Sequence, residues 1–415
     1  MNGSLRKLDP GYMVHAHVSR MTVFSGRWIT APAMPSRRSG PIFAFWGAFN
    51  RARDRLRAHR QIGEHPKMIS DIAAFLVPSW GPLRLLTSSF MLAAIATMVS
   101  AIGAMVLIPT LWKYLPTDRG RAHAVDSAAS VGKPIAAGII MIGIIVITAF
   151  LFVPFDFRIY ASMLLILAAS VLGYVDDTSG GLSELTLGLC DLLLAVLAAI
   201  IIFGFEPAKV WLPFTAEILT VPAWLHIPVA VGIIWFSINA LNCSDGVDGL
   251  SGTLALISIA VLGLLFYMAI GHIEMSRYLL LPFDPDGYKW AIVCAITCGC
   301  LAGYLWYNVP PSSVMMGDAG SRPIGLLIGI LVMVSGNPFL IVVCAGVILA
   351  NGATGLFKVA MLRFFKLSLF SGIRFPLHDH VRKNFHWSNS QVLARFAMVH
   401  MAVTLTLLSI LLKVR

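Results

Sequence analysis

The chain is 415 residues long, 58% hydrophobic and only 12% charged, and its 31 Lys+Arg against 20 Asp+Glu give a formal charge of +11. A soluble domain is about 45–50% apolar and about 25% charged, so this chain has too little polar surface to face water; the same composition excludes a disordered chain, a disulfide-built secreted module and a coiled coil. What remains is an all-α polytopic membrane protein, whose basic surplus belongs at membrane edges, where Lys and Arg set topology and meet anionic headgroups, and not on a nucleic acid.

Residues 1–67 contain no stretch long enough to span a bilayer and no secretory signal pattern, and they crowd Arg51, Arg53, Arg55, Arg57 and Arg60 together. Two readings stay open for them: a disordered or interfacial basic arm, or a start placed too far upstream with Met68 the true first residue. Residues 68–415 read as one transmembrane domain. A helix crosses a hydrocarbon core of ~30 Å with roughly 20 apolar residues. Ten candidates follow: Leu85 to Trp112, 134–155, 159–175, 185–205, 226–241, Leu250 to Gly271, 290–307, 323–336, 338–357 and 391–412. Only the turn signal Gly336-Asn337-Pro338 separates the eighth from the ninth. The six cysteines lie mostly inside apolar segments and read as buried thiols.

Counting spans alternately puts the loops 113–133, 176–184, 242–249, 308–322 and 358–390 on one side of the membrane. That side holds Lys113, Arg119, Arg121, Lys133, Arg363, Lys366, Arg374, Arg382 and Lys383, against Arg158, Lys209, Arg277 and Lys289 opposite. The positive-inside rule therefore places these loops in the cytoplasm. The basic arm then falls outside, an exception that long segments commonly make.

With so few charges, the placement of acids is informative. Asp176-Asp177 end a span; Asp245 and Asp248 lie in Asn239-Ala-Leu-Asn242-Cys-Ser-Asp-Gly246-Val-Asp-Gly-Leu; Asp318 lies in Met315-Met-Gly-Asp-Ala-Gly-Ser; and His378-Asp379-His380 follow Phe-Pro-Leu. All sit in loops on the same side. Converging acids repel one another unless a cation lies between them, and carboxylate oxygens with few histidines favour a hard ion such as Mg²⁺, which binds through one or two carboxylates plus substrate phosphates. Phosphoryl chemistry follows, with Gly246, Gly249, Gly317, Gly320, Lys133 and Arg382 able to receive a phosphate. Each cluster also has a plainer reading. Two acids at a helix end could mark the membrane boundary, although a helix C-terminus disfavours anions. Asp245 and its neighbours could cap the helix that starts at Leu250, Asp318 could be a turn residue, and the His-Asp-His cluster an interfacial loop. Asp191, inside a span, reads as facing a helix contact or the loop cavity.

In this order, the motifs resemble the phospho-N-acetylmuramoyl-pentapeptide transferases, within the polyprenyl-phosphate N-acetylhexosamine-1-phosphate transferase superfamily. The resemblance covers residues 68–415 and rests on Asp-Asp, Asn-x-x-Asn-x-x-Asp-Gly-x-Asp-Gly, Asn308 with Pro310-Pro311, Met-Gly-Asp-x-Gly-Ser and Pro-Leu-His-x-His together. It implies about ten transmembrane helices in a bacterial inner membrane, an active site of cytoplasmic loops, and transfer of phospho-MurNAc-pentapeptide from UDP-MurNAc-pentapeptide to undecaprenyl phosphate, giving lipid I and UMP with Mg²⁺. Asp318 and Asp176 would hold the metal, Asp176 would also deprotonate or position the lipid phosphate, and Asp177 would support the site. Asn239, Asn242, Asp245, Asp248 and Asn308 would line the nucleotide and diphosphate pocket, with Gly246 and Met315 near the uracil, Lys133 supplying a displaced charge, and His378 and His380 holding the donor. Nucleoside antibiotics are implied as ligands, and a homodimer is compatible with the sequence.

Three departures stand out: Asp379 occupies the middle of the usual triple histidine, Thr178-Ser179-Gly180-Gly181 replace a lysine often found after Asp-Asp, and Ser130-Val131-Gly132-Lys133-Pro134-Ile135 replace a Lys-x-Gly-Thr-Pro-Thr segment. Two rivals share much of this pattern. A sister enzyme passing N-acetylglucosamine-1-phosphate to a polyprenyl phosphate would differ mainly in residues 374–390, and an ion-coupled transporter would place its acids near the bilayer midplane.

Overall fold

The computed structural model describes residues 68–118, 120, 131–368 and 370–413. The basic arm over 1–67, Arg119, Arg121 and Ser130 lie outside the described residues. Helices dominate: α1 (Met68–Leu76), α2 (Ser89–Leu111), α3 (Gly138–Phe152), α4 (Phe157–Ser179), α5 (Glu184–Phe203), α6 (Ala223–Ser244), α7 (Leu250–Leu264), α8 (Ile273–Tyr278), α9 (Gly287–Asn308), α10 (Asp318–Val334), α11 (Leu340–Ile348), α12 (Thr354–Phe365), α13 (Leu377–Phe385) and α14 (Asn389–Lys413). A short hairpin, β1 (Ala208–Trp211) paired antiparallel with β2 (Ile218–Val221), links α5 to α6.

Each of the ten predicted segments is helical. Eight helices among the described residues are long and apolar enough to cross a membrane, with α11, a π-helical turn over 349–353 and α12 running together as the span Leu340–Phe365. The two others are shorter, and for one of them the reason is physical. Helix α10 carries Asp318 and Arg322, which lipid would not tolerate. Every residue from Asp318 to Met333 is buried, so the surrounding helices take the place of lipid.

Small residues make that burial possible. Gly325 and Gly329 of α10 face the backbone of α6, where added Cβ atoms would come within 2.7 Å and 2.8 Å of the Cα atoms of Ile238 and Ile234. At its N-terminus α10 meets Gly173 of α4 and Gly138 of α3, backbone against backbone. Without a hydrophobic drive between helices in lipid, such close approach is what makes dispersion contacts strong enough to hold them. Helices α2 and α9 pack likewise, with Ser100 donating to the Ile296 carbonyl at 2.8 Å and Gly299 lying against the Thr97 carbonyl.

The hydrogen bonds sort the loops into two sets. At one end 134–138 pairs with 315–316, Gly249 with Asn308, Asp177 with 318–319, and His378 with Asn351. At the other, Trp211 bonds to Ser335 and Gly336, and Lys289 pairs with Asp156. The acidic loops thus share one end of the bundle, as the alternate counting of spans requires.

Gly299→Ala is expected to cost about 1–3 kcal/mol by overpacking, because its Cβ would overlap backbone, whereas Gly143→Ala points into open space. Thermal unfolding in detergent should show a clear drop in Tm for the first and little change for the second.

Candidate active site

The centre of the site is a contact between two helix ends. Asp176 and Asp177 occupy the last turn of α4, the end of a helix that repels anions, yet the N-terminus of α10 lies against them. Asp177 accepts from the backbone N–H groups of Asp318 at 3.2 Å and Ala319 at 3.1 Å, serving donors that a helix start otherwise leaves unpaired. Ser170 of α4 donates to the Ala319 carbonyl at 2.6 Å. Gly317 has φ +70° and ψ −179°, a combination essentially confined to glycine, and a side chain there would collide with the Asp177 carboxylate. The Met-Gly-Asp sequence is therefore a fitted turn that places Asp318 beside the Asp-Asp pair.

One oxygen each of Asp176, Asp177 and Asp318 lies within 4.8 Å of the others. Two charges about 5 Å apart repel by about 3 kcal/mol at an effective dielectric of about 20, so the arrangement needs compensating partners. Asp176 accepts from the Leu182 N–H in the loop that follows. Asp318 Oδ2 accepts from Asn242 Nδ2 at 2.9 Å and from Arg322 Nε at 2.8 Å. A cluster of three carboxylates at a helix N-terminus, open to loops, is a donor set suited to a hard divalent cation. The adjacent acids do different work, as expected of neighbouring helical positions: Asp177 holds the backbone at the start of α10, while Asp176 accepts from the following loop and meets the Asp318 side chain.

The remaining predicted residues form the surroundings. Asn239 lies next to Asp191, one helix turn from Asn242. Asp245 accepts from Ser251 Oγ and does not cap α7; the cap position belongs to Gly249 at φ +77°, with no side-chain bond. That corrects the capping expectation. Asn308 does this bracing instead, accepting from the Gly249 N–H at 2.8 Å and donating to the Val314 carbonyl at 2.7 Å, so its side chain ties two loops together. Asp248 accepts from the Ser312 N–H and pairs with Lys133 at 3.7 Å. Met315 exchanges backbone bonds with Pro134 and Ala137.

His378 is 2% exposed, its ring resting on Gly246 and its backbone N–H donating to Asn351 Oδ1 at 2.9 Å. Burial pushes its imidazole down to about 3, with the Arg382 charge acting the same way. His380 points elsewhere: its Nδ1 accepts from the Arg374 N–H at 3.2 Å and meets Asn384. The two histidines thus do not act on one point. Asp379 sits between Arg374 and Arg382, at 3.8 Å and 3.7 Å; burial raises its carboxyl against the opposing pull of those two cations. Beside these groups opens a cleft of about 960 Å³ lined by Lys133, Asp248, Pro310, Pro311, Ser312, Arg382, Lys383, His386, Trp387, Ser388, Asn389 and Ser390. Arg395 stacks on Trp387, its guanidinium 4.2 Å from the ring centre, and supports the cleft's aromatic wall.

Sequence reasoning missed two residues. Arg322 bridges Asp318 and the buried Asp191; its signal was an arginine at the edge of an apolar run, four residues after an acid, where side chains on a helix meet. Asn351 was hidden in the middle of a span, in a π-helical turn, a feature often found at functional sites. Of the two placements open for Asp191, the structure gives the helix contact.

The site's architecture defines a class: a multi-pass membrane protein with a carboxylate cluster at one end of its bundle. The family described as glycosyl transferase family 4 matches residues 159–336, the stretch from α4 to the end of α10 that carries every acid of the cluster. The phospho-N-acetylmuramoyl-pentapeptide-transferase of Treponema pallidum (strain Nichols) is 42% identical over 348 residues, covering 83% of this chain and 96% of the relative. Proteins of the same name from Bartonella quintana (strain Toulouse; 26% over 330 residues, 76% and 92%) and Campylobacter jejuni (strain RM1221; 29% over 308 residues, 70% and 82%) are also similar. The chain belongs to the phospho-N-acetylmuramoyl-pentapeptide-transferase family.

The neutral burial of His378 has a consequence for stability. Free histidine titrates near 6.5, so from about pH 6.5 down towards about 3 the unfolded chain binds a proton that the folded chain does not, and stability falls on acidification through that window. Replacing His378 with Gln is expected to flatten the loss of Tm between pH 7 and pH 5 relative to the parent, measured by thermal unfolding in detergent.

Proposed function

We propose that the protein transfers phospho-MurNAc-pentapeptide from UDP-MurNAc-pentapeptide to undecaprenyl phosphate, forming lipid I and UMP at the cytoplasmic face of a bacterial inner membrane. The observation that carries this is the convergence of Asp176, Asp177 and Asp318 within 4.8 Å in a chain so similar to relatives bearing that name. The basic excess on the loops around the cluster supports the cytoplasmic orientation.

Asp318 and Asp176 would hold Mg²⁺, which when bound screens the negative charge of the donor's diphosphate and of the incoming lipid phosphate. The protein's own part is placement. Asp177 fixes the start of α10, and so fixes Asp318 relative to Asp176. Asn242, also bonded to Asp318, ties the nucleotide-side loop to the same carboxylate. The cleft beside Asp248 and Lys133 has the size and the mixed cationic and aromatic lining suited to the donor, and His378, held neutral, packs against Gly246 of the nucleotide-side loop.

In the reaction a lipid phosphate oxygen attacks the sugar-bearing phosphorus of the donor, a new P–O bond forms, the anhydride bond to UMP breaks, and the leaving electron pair stays on UMP. Direct attack is favoured over a phospho-enzyme because a phosphate monoester is already anionic near neutral pH and needs orientation more than activation. The carboxylates described here are also each held by fixed donors.

Purified protein given undecaprenyl phosphate and Mg²⁺ should release UMP from UDP-MurNAc-pentapeptide and not from UDP-N-acetylglucosamine, and Asp318→Ala should abolish the release. Turnover only with the simple sugar donor would make this a sister transferase.

A further inference from the structure

We propose that Arg322 and Asp191 act as one positioning unit that sets the orientation of Asp318. The inference rests on the role of Asp318 given above and adds two residues that neither the motifs nor the resemblance assign. Arg322 lies one helix turn beyond Asp318 on α10, and its Nε donates to Asp318 Oδ2 at 2.8 Å. On its other side Nη1 donates to Asp191 Oδ2 at 2.5 Å, on α5. The guanidinium is 8% exposed and Asp191 is fully buried, so the pair is sealed from solvent. A planar fork anchored at both ends and sealed among helices is fixed in place, so it transmits position to the carboxylate it holds. Since Asn242 donates to the same Asp318 oxygen, the carboxylate is held from two directions, by α6 and by the α5-anchored arginine.

Stability alone does not account for this pair. Two apolar side chains would seal α5 against α10 as well or better, because desolvating both charges offsets much of their attraction. What the pair adds is a fixed rotation of Asp318 and a positive charge beside a cluster whose following loop, Thr178-Ser179-Gly180-Gly181, offers no cation. The arginine thus acts on the reaction through Asp318, as a positioning residue.

The test removes the pair together, so that no buried charge is stranded. In full-length protein, Asp191→Leu combined with Arg322→Met should keep its metal-free Tm within a few degrees of the parent, while kcat falls by about tenfold or more, with KM for the UDP donor nearly unchanged. Affinity for Mn²⁺ alone, read by electron paramagnetic resonance, should weaken by about tenfold, the usual effect of losing an outer partner of a metal ligand. A folded double variant with parental kcat and Mn²⁺ affinity would overturn the proposal and leave the pair a packing device. Should the double variant fail to fold, Arg322→Lys decides: it keeps the charge but cannot fork, so a clear loss of kcat at unchanged Tm supports the positioning role and full activity overturns it. Asp318→Asn, assayed alongside, separates the two claims. If it stays active, the reading of Asp318 itself fails; if it is inactive while the paired variant is not, only the positioning unit fails.

Discussion

The structure turns on the acceptance of two backbone N–H groups by Asp177. That carboxylate sits at the end of α4 where a helix is least hospitable to it, and the start of α10 supplies the missing compensation. The same contact completes α10, whose first donors would otherwise be unpaired inside the protein. Gly317 and Gly173 allow it, one by an unusual backbone conformation and the other by letting α4 meet the Asp318 backbone directly. Remove this junction and Asp176 and Asp318, which come from distant parts of the chain, lose their common frame.

From that junction the surroundings follow in order. Helix α10 can begin with an acid and carry an arginine one turn later because α3, α4, α5 and α6 enclose it. Glycines at 325 and 329 bring α6 close enough for Asn242 to reach Asp318. Asn308 ties the loop before α7 to the loop before α10, and His378 closes over Gly246 from α13. Polar side chains in this region are mostly paired with backbone or with one another, and such pairing rigidifies a site that must hold several like charges.

Much of this was legible in the sequence. Apolar run lengths located ten helical segments, eight of them long and apolar enough to cross a membrane, and alternate counting placed the acidic loops on one side, because both follow from bilayer thickness and charge placement. The spacing within each motif was readable too, since Asp, Gly and Asn in short runs report local backbone needs. What the sequence hid were relations across the chain. Nothing near Asp177 indicates that its partners are the N–H groups of 318 and 319, nothing near Arg322 names Asp191, and Asn308 reads as a ligand residue until its two backbone partners are seen. The cap of α7 was hidden for a related reason: Gly249 takes that position at φ +77°, and the partner of its N–H, Asn308, lies some sixty residues away.

On the proposed mechanism these acids position a cation and two phosphates and do not themselves become phosphorylated. The configuration at phosphorus tests this most directly, using a UDP-linked donor made chiral at the transferred phosphorus by sulfur and oxygen isotopes. A single in-line displacement predicts inversion in the lipid product. Retention would require two displacements, and would show that one of the carboxylates forms a covalent intermediate despite the hydrogen bonds that hold it.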